Sequence, residues 1–360
     1  MQHLKERNKS AVSRERSNGF VKNDIKTVSY KSPRSRVKTI VLRSLSVLGV
    51  LLLAFIVCFF SVTTIITKGP SKTARDMFVT TVMETSAAKF LARMYFSEAQ
   101  IKEIQAKNNL VDTGEVTDTN VEFEPPKEEV VPEKAIEIFD VVGGTYKGKM
   151  MVVHDPSRLK VATLPQFDRE KSGMTVEAMI KAEGAIAGIN AGGFEDKGGV
   201  GKGGMPLGFV IKDSKLVFGT EKTGGSIIGI DKNNRLIVGI LTAGEALKKN
   251  VRDAVTFGPA LITNSVPTKS PGTGGGLNPR TAIGQRADGA LLILVIDGRQ
   301  SHSIGASYKD LIDVMVEYKA VNAGNLDGGA SAVMYYQGEL VTTCASLTGP
   351  RDLPTAFVIK

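Results

Sequence analysis

The stretch RTAIGQRADGALLILVIDGR, running from Arg280 to Arg299, decides the fold. Asp288-Gly289 at its centre is a hairpin signal, since such a turn needs the positive φ that glycine accepts. It joins an extended segment at Thr281–Ile283 to Ala290–Ile296, seven apolar residues without a polar break. A run of that length bounded by turn residues is a strand buried on both faces. It stops abruptly at Asp297-Gly298-Arg299, which sets charge at its C-terminal mouth, with Arg280 on the adjoining strand. Two guanidinium groups near one place offer bidentate recognition of phosphate, and Asp297 is equally their neutralising partner. A lone Asp-Gly, by contrast, is usually only a turn.

Working outward, further β-like runs occur at Met150–His154, Leu159–Thr163, Leu207–Ile211, Ser226–Ile230, Leu236–Ile240 and Ala332–Gln337. Helical patterning is scarce. Thr175 can cap a short helix that Gly184 stops, and Ser307-x-x-Asp310 caps a second with Leu311, Ile312, Val314 and Met315 on one face. Many strands around few helices indicate an α+β class, a mixed β-rich domain.

The net charge of +9 is local. Residues 1–44 hold twelve Lys/Arg against Glu6, Glu15 and Asp24, so the remainder is neutral. That basic tail precedes the uncharged run Leu45–Ile66, LSVLGVLLLAFIVCFFSVTTII. About 20 apolar residues span a bilayer as a helix, and a Lys/Arg-rich flank stays cytoplasmic. The expectation is a single-pass anchor with residues 1–44 as cytoplasmic tail and the C-terminal part extracellular, with no nucleic-acid partner. A cleaved signal peptide fits less well, given the long basic region and the absence of a small-x-small site after Ile66. Residues 67–110 read as a helical stalk. Met77, Phe78, Val82, Ala88, Leu91 and Met94 recur at helical steps, and Ser97-x-x-Gln100 restarts a helix. Residues 111–134, acidic and carrying Pro125-Pro126, read as linker, and 135–360 form the outer domain.

Cys58 lies in the apolar run and Cys344 near the C-terminus, so no intrachain disulfide is expected, and Cys/His zinc spacings are absent. No metal ligand is assigned. A divalent cation is compatible with the residues but not required by them.

Two further motifs carry chemistry. Asn325-Leu326-Asp327-Gly328-Gly329 follows the second capped helix, with glycines that permit positive φ and close backbone approach, and with Ser331 beside them. As a plain sequence it is as readily a Gly-rich turn. Ile189-Asn190-Ala191-Gly192-Gly193-Phe194 follows the first short helix and leads through Glu195 and Asp196 into a Gly198–Gly204 loop able to offer backbone donors. That loop lacks the Lys-Ser/Thr of a P-loop, and no Gly-x-Ser-x-Gly elbow occurs.

Together with Asn278-Pro279-Arg280-Thr281, Phe257-Gly258-Pro259-Ala260-Leu261 and Ser303-x-Gly305, these motifs resemble the phosphodiester glycosidase family over roughly residues 135–360. Ala191, Ala330 and Ala332 depart from the family pattern, which has glycine or serine there. The resemblance implies hydrolysis of the glycosidic bond of sugar-1-phosphodiesters, here in cell-envelope glycopolymers or exopolysaccharide. Such cleavage needs carboxylates. Asp327 and Asp297 are expected as the pair, with Glu195 third. Asn190, Gly192, Gly193, Arg280, Thr281, Arg299, Asn325, Gly328, Gly329 and Ser331 are expected to bind substrate. Which carboxylate takes which role is not legible. Two other functions fit the same residues: a non-catalytic envelope module that binds sugar-phosphate polymers, and a metal-dependent phosphodiesterase.

Overall fold

A computed structural model describes residues 33–111, 114–120, 135–196 and 201–360. The basic tail up to residue 32, most of the linker and residues 197–200 of the glycine-rich loop lie outside the described residues. The chain divides into Met1–Ser61 and Val62–Lys360. In the first unit the described residues form helix α1 (Pro33–Lys68), which runs on into the second. Its Val37–Lys68 portion is long and apolar enough to cross a membrane, and its large apolar side chains are mostly exposed, with Thr63 and Thr67 buried near its end. The helix therefore extends beyond the uncharged run at both ends.

The second unit opens with α2 (Lys72–Met83), α3 (Lys89–Arg93) and α4 (Glu98–Asn108). Val79, Val82, Ala92, Ile101 and Ile104 form their shared core. The Ser97–Gln100 capping box is present. These helices are hydrogen-bonded to the β-rich part of the same unit. Thr81 Oγ1 accepts from the Leu277 N–H at 2.9 Å, and Asn108 Oδ1 accepts from the Thr273 N–H at 2.8 Å.

Three antiparallel sheets follow. The largest has seven strands: β1 (Ile136–Val142), β2 (Lys147–Val153), β10 (Ala260–Thr263), β11 (Val266–Pro267), β12 (Arg280–Arg286), β13 (Leu291–Ile296) and β14 (Ala320–Leu326). Their spatial order is β1-β2-β13-β12-β14-β10-β11. The second sheet is ordered β16-β15-β4-β17-β3, from β3 (Leu159–Thr163), β4 (Ala187–Asn190), β15 (Met334–Tyr336), β16 (Glu339–Leu340) and β17 (Thr355–Ile359). The third is ordered β6-β5-β9-β7-β8, from β5 (Val210–Lys212), β6 (Lys215–Phe218), β7 (Gly224–Asp231), β8 (Leu236–Thr242) and β9 (Val251–Thr256).

The predicted hairpin forms as read. Strands β12 and β13 pair from Arg280↔Ile296 to Gln285↔Leu291, with Gly289 at φ +88° in the turn. Alternation along β13 explains its unbroken apolar run. Leu291, Ile293 and Val295 enter a central core with Ile189 and Phe357 of the second sheet and Ile228 and Val238 of the third. Leu292, Leu294 and Ile296 face the other way, onto Leu311 and Met315 of α7 (Tyr308–Glu317). Helix α5 (Val176–Glu183) is capped by Thr175 and ended by Gly184 in the left-handed region, and it covers the second sheet through Met179 and Ile180. A one-and-a-half-turn α6 (Ala243–Lys248) covers the third. Helix α7 begins in the Ser307–Asp310 capping box.

Candidate active site

Strand register gathers the three polar motifs at one end of the seven-stranded sheet. Thr281 pairs with Leu326 and Arg280 with Ile296, so Arg280, Asp327 and the Asp297–Arg299 turn all emerge there. Beside them lies a cavity of about 580 Å³. Arg280, Arg299, Asn325, Asp327 and Ser331 supply polar wall, and Phe194, Leu207, Phe257 and Tyr308 supply apolar wall.

Asp327 is the least satisfied acid in the cavity. Its Oδ2 is buried and has no hydrogen-bond partner among the described residues. Burial pushes its carboxyl up to about 6, against the Ser331 hydroxyl and Gly328 N–H, which lower it. Two residues earlier, Asn325 donates from Nδ2 to the Gly258 carbonyl at 2.8 Å. That bond fixes the amide's orientation and leaves Oδ1 buried and unpartnered. Two neighbouring residues of the cavity wall thus each carry a buried acceptor without a donor. The backbone here depends on glycine: Gly329 has φ +61°, and a Cβ on it would come within 3.4 Å of the Arg299 guanidinium.

The two arginines are held differently. Arg280 is buried, lies 3.9 Å over the Tyr308 ring, and donates to the carbonyls of Gly276 at 2.7 Å and Ala306 at 3.1 Å. Its Nη2 also meets Glu84 Oε2 at 2.6 Å. Arg299, at φ +58°, donates to Asn278 Oδ1 at 3.0 Å and Thr85 Oγ1 at 3.2 Å, both neutral. Burial first, and the Arg280 charge second, pull its pKa down, and a guanidinium so shifted stays charged.

Several expected site residues stand elsewhere. Asp297 is not on the cavity wall. Its Oδ1 accepts from the Thr343 N–H at 2.8 Å, and its Oδ2 meets His302 Nε2 at 3.1 Å. Asp297 is thus a brace for the turn, with both carboxylate oxygens engaged by Thr343 and His302. Glu195 points outward to an ion pair with Arg169 at 2.6 Å, while its neighbour Asp196 reaches the cavity. Asn190 is buried, with all its polar atoms facing protein: Nδ2 donates to the Asp327 carbonyl, and Oδ1 accepts from Thr281 Oγ1 at 2.8 Å and the Val333 N–H at 3.2 Å. Asn190 and Thr281 therefore position Asp327 from behind. Gly193 lines the cavity, where a Cβ would meet the Phe257 ring at 2.9 Å, and Gly192 is tied back to Thr355 Oγ1. Gly328 also lines it. The described part of the glycine-rich loop does not line the cavity but is tied to its wall: the Gly201 N–H donates to Asp196 Oδ1 and Arg351 Nη2 donates to the Gly201 carbonyl at 3.1 Å, while Lys202 Nζ donates to the Glu170 carbonyl. Ala332, where the family pattern differs, sits in the central core.

Other wall residues carried no sequence signal of their role. Glu84, Thr85, Ser86 and Ala87 come from the segment after α2. Arg351 stacks over Phe194 at 4.8 Å and pairs with Asp196 at 2.7 Å. No cluster of three or more His, Cys, Asp or Glu suited to a metal occurs among the described residues.

The fold agrees with what comparison finds. Residues 183–360 match the phosphodiester glycosidase family, and through this domain the chain belongs to that family, a class of glycosidase-type hydrolases. A curated relative, the SPbeta prophage-derived uncharacterized protein YomE of Bacillus subtilis (strain 168), is 31% identical over 177 residues. That alignment takes in 46% of this chain and 27% of the relative, so the chain spans about a quarter of that protein's length. Among solved structures, the zebrafish N-acetylglucosamine-1-phosphodiester alpha-N-acetylglucosaminidase catalytic domain, auto-inhibited by its pro-peptide, superposes with a TM-score of 0.53 at 23% identity. It covers 65% of this chain and 86% of that one, a likeness of fold.

Proposed function

We propose that the chain is a membrane-anchored hydrolase that cleaves the glycosidic bond of sugar-1-phosphodiesters in envelope glycopolymers or exopolysaccharide. One observation carries this: a buried Asp327 carboxyl, whose Oδ2 has no hydrogen-bond partner among the described residues, shares a sugar-sized cavity with the Arg299 guanidinium. The basic residues before α1 favour a cytoplasmic N-terminus and an extracellular domain.

A phosphodiester leaves as an already acidic phosphomonoester, so proton donation to the leaving oxygen matters less than neutralising its charge. In this scheme Arg299 takes the phosphate. Asp327, ionised above about pH 6, either attacks the anomeric carbon or takes the proton of the attacking water. The anomeric C–O bond breaks and its electron pair departs on the phosphate. In the same scheme the cavity-lining Asn325 and Ser331 bind sugar hydroxyls, and Phe194 and Phe257 offer rings for the apolar face of the sugar. Incubating the full chain in detergent with UDP-N-acetylglucosamine and a panel of sugar-1-phosphodiesters tests the proposal. Free sugar from at least one substrate, lost in Asp327→Asn, is the expected outcome. No free sugar from any diester contradicts it.

A further inference from the structure

The charges lining the cavity follow a pattern set partly by a residue outside the family domain. Three guanidinium groups and three carboxylates line it: Arg280, Arg299, Arg351, Glu84, Asp196 and Asp327. Four of these cancel in pairs, Arg280 with Glu84 at 2.6 Å and Arg351 with Asp196 at 2.7 Å. Among the described residues, that leaves Arg299 as the lining cation with no carboxylate within ion-pair distance, and Asp327 as the lining carboxylate with no cation at that distance.

Glu84 is not in this position by chance of a flexible side chain. It caps the C-terminus of α2. Its Oε1 accepts from the Gly276 N–H at 2.9 Å, and its Oε2 accepts from Asn278 Nδ2 at 2.9 Å and from Arg280. The approach of α2 needs glycine opposite it, since a Cβ on Gly276 would come within 2.5 Å of the Thr81 backbone. A backbone N–H, an amide and a guanidinium converging on one carboxylate form a donor set that also fits a phosphate oxygen pair. Glu84 fills it permanently and brings a negative charge to the wall.

We infer that Glu84 is a specificity-determining residue that restricts the site to singly charged phosphodiesters and rejects doubly charged phosphomonoesters. This rests on the sugar-phosphate function proposed above. A diester brings one negative charge to one unpaired cation. A monoester brings a second, which finds no free cation because Glu84 already holds Arg280, and which adds to the repulsion from Asp327, so its binding is strongly disfavoured. The product of cleavage is such a monoester when the polymer end departs, so the same device favours its release.

The test uses the full chain in detergent and two probes that cannot be hydrolysed: a C-glycosyl phosphonate, dianionic at about pH 8.5, and its monoanionic methyl ester. Wild type is expected to bind the methyl ester at least about tenfold more tightly than the phosphonate. Glu84→Gln, which keeps the shape and an acceptor for Arg280, should abolish most of that ratio by strengthening phosphonate binding. Ala87→Lys, an exposed wall position, adds a cation without touching Glu84 and should narrow the ratio too, whether or not Glu84→Gln folds. An unchanged ratio in a folded Glu84→Gln, or a wild-type preference for the phosphonate, overturns the inference while leaving the proposed function intact. An equal gain for both probes also overturns it, because it marks Glu84 as a removable plug. If neither probe binds any form, the sugar-phosphate site itself is refuted, and the inference with it.

Discussion

Asn190 and Asp327 are joined between two sheets: the Asn190 side-chain amide donates to the Asp327 backbone carbonyl, and the Asp327 N–H donates to the Ala191 carbonyl at 3.0 Å. The second sheet thereby fixes where the acid of the first one stands. Asn190→Ala would leave buried groups on Thr281, Val333 and Asp327 without their partner, a loss of about 2–3 kcal/mol. It should appear as a lower urea midpoint with an unchanged slope, and kcat should fall more than KM rises.

The pH dependence follows from Asp327. Its carboxyl titrates near 6 in the folded protein against an ordinary 3.8. If the ionised form is the one that works, kcat/KM for a diester rises with pH through about 6 and then levels, since the substrate itself does not titrate there. A profile that falls through the same range assigns Asp327 as a proton donor.

The same shift has a sign for stability. An acid whose folded pKa is raised binds its proton more tightly when folded, so its stabilising effect is complete below about pH 4 and lost as pH rises through about 6. Asp327→Asn should therefore be more stable than wild type at pH 7.5, by at most about 3 kcal/mol. The two should converge below about pH 4. Thermal melts at both pH values read the difference, and the variant's gain in stability should accompany its loss of turnover.

Arg299 is expected to act through substrate affinity. Removing a charged hydrogen bond to phosphate costs about 1.5–3 kcal/mol, so Arg299→Ala should raise the diester KM by about one to two orders of magnitude. Arg280→Met should instead lower stability, because it leaves Glu84 without its guanidinium partner. Melting temperatures separate the two variants.

How far the sequence reveals this site depends on the range of the interaction. The hairpin of β12 and β13 and the caps at Thr175 and Ser307 are local patterns, and each forms where its residues predict. Asp297 and Arg299 share strand parity, which suggests a common face, yet β13 ends at Ile296 and Arg299 takes φ +58°. The turn sends the acid back into the fold and the guanidinium into the cavity. Glu195 and Asp196 differ by a single step of alternation, and the outward one carried the expectation. Asn190 has the right chemistry for a ligand contact, and only its three protein partners show that it is already satisfied. Glu84 lies 196 residues from Arg280 on a helix with no motif of its own, so nothing short of the tertiary structure could bring it to the site.

The most direct test of the central claim is the fate of water oxygen. The full chain in detergent, turning over its best sugar-1-phosphodiester in ¹⁸O-water, should place the label on the anomeric hydroxyl of the released sugar and none on the phosphate. Label in the phosphate would mean P–O cleavage, and would contradict a glycosidase built on Asp327 and Arg299.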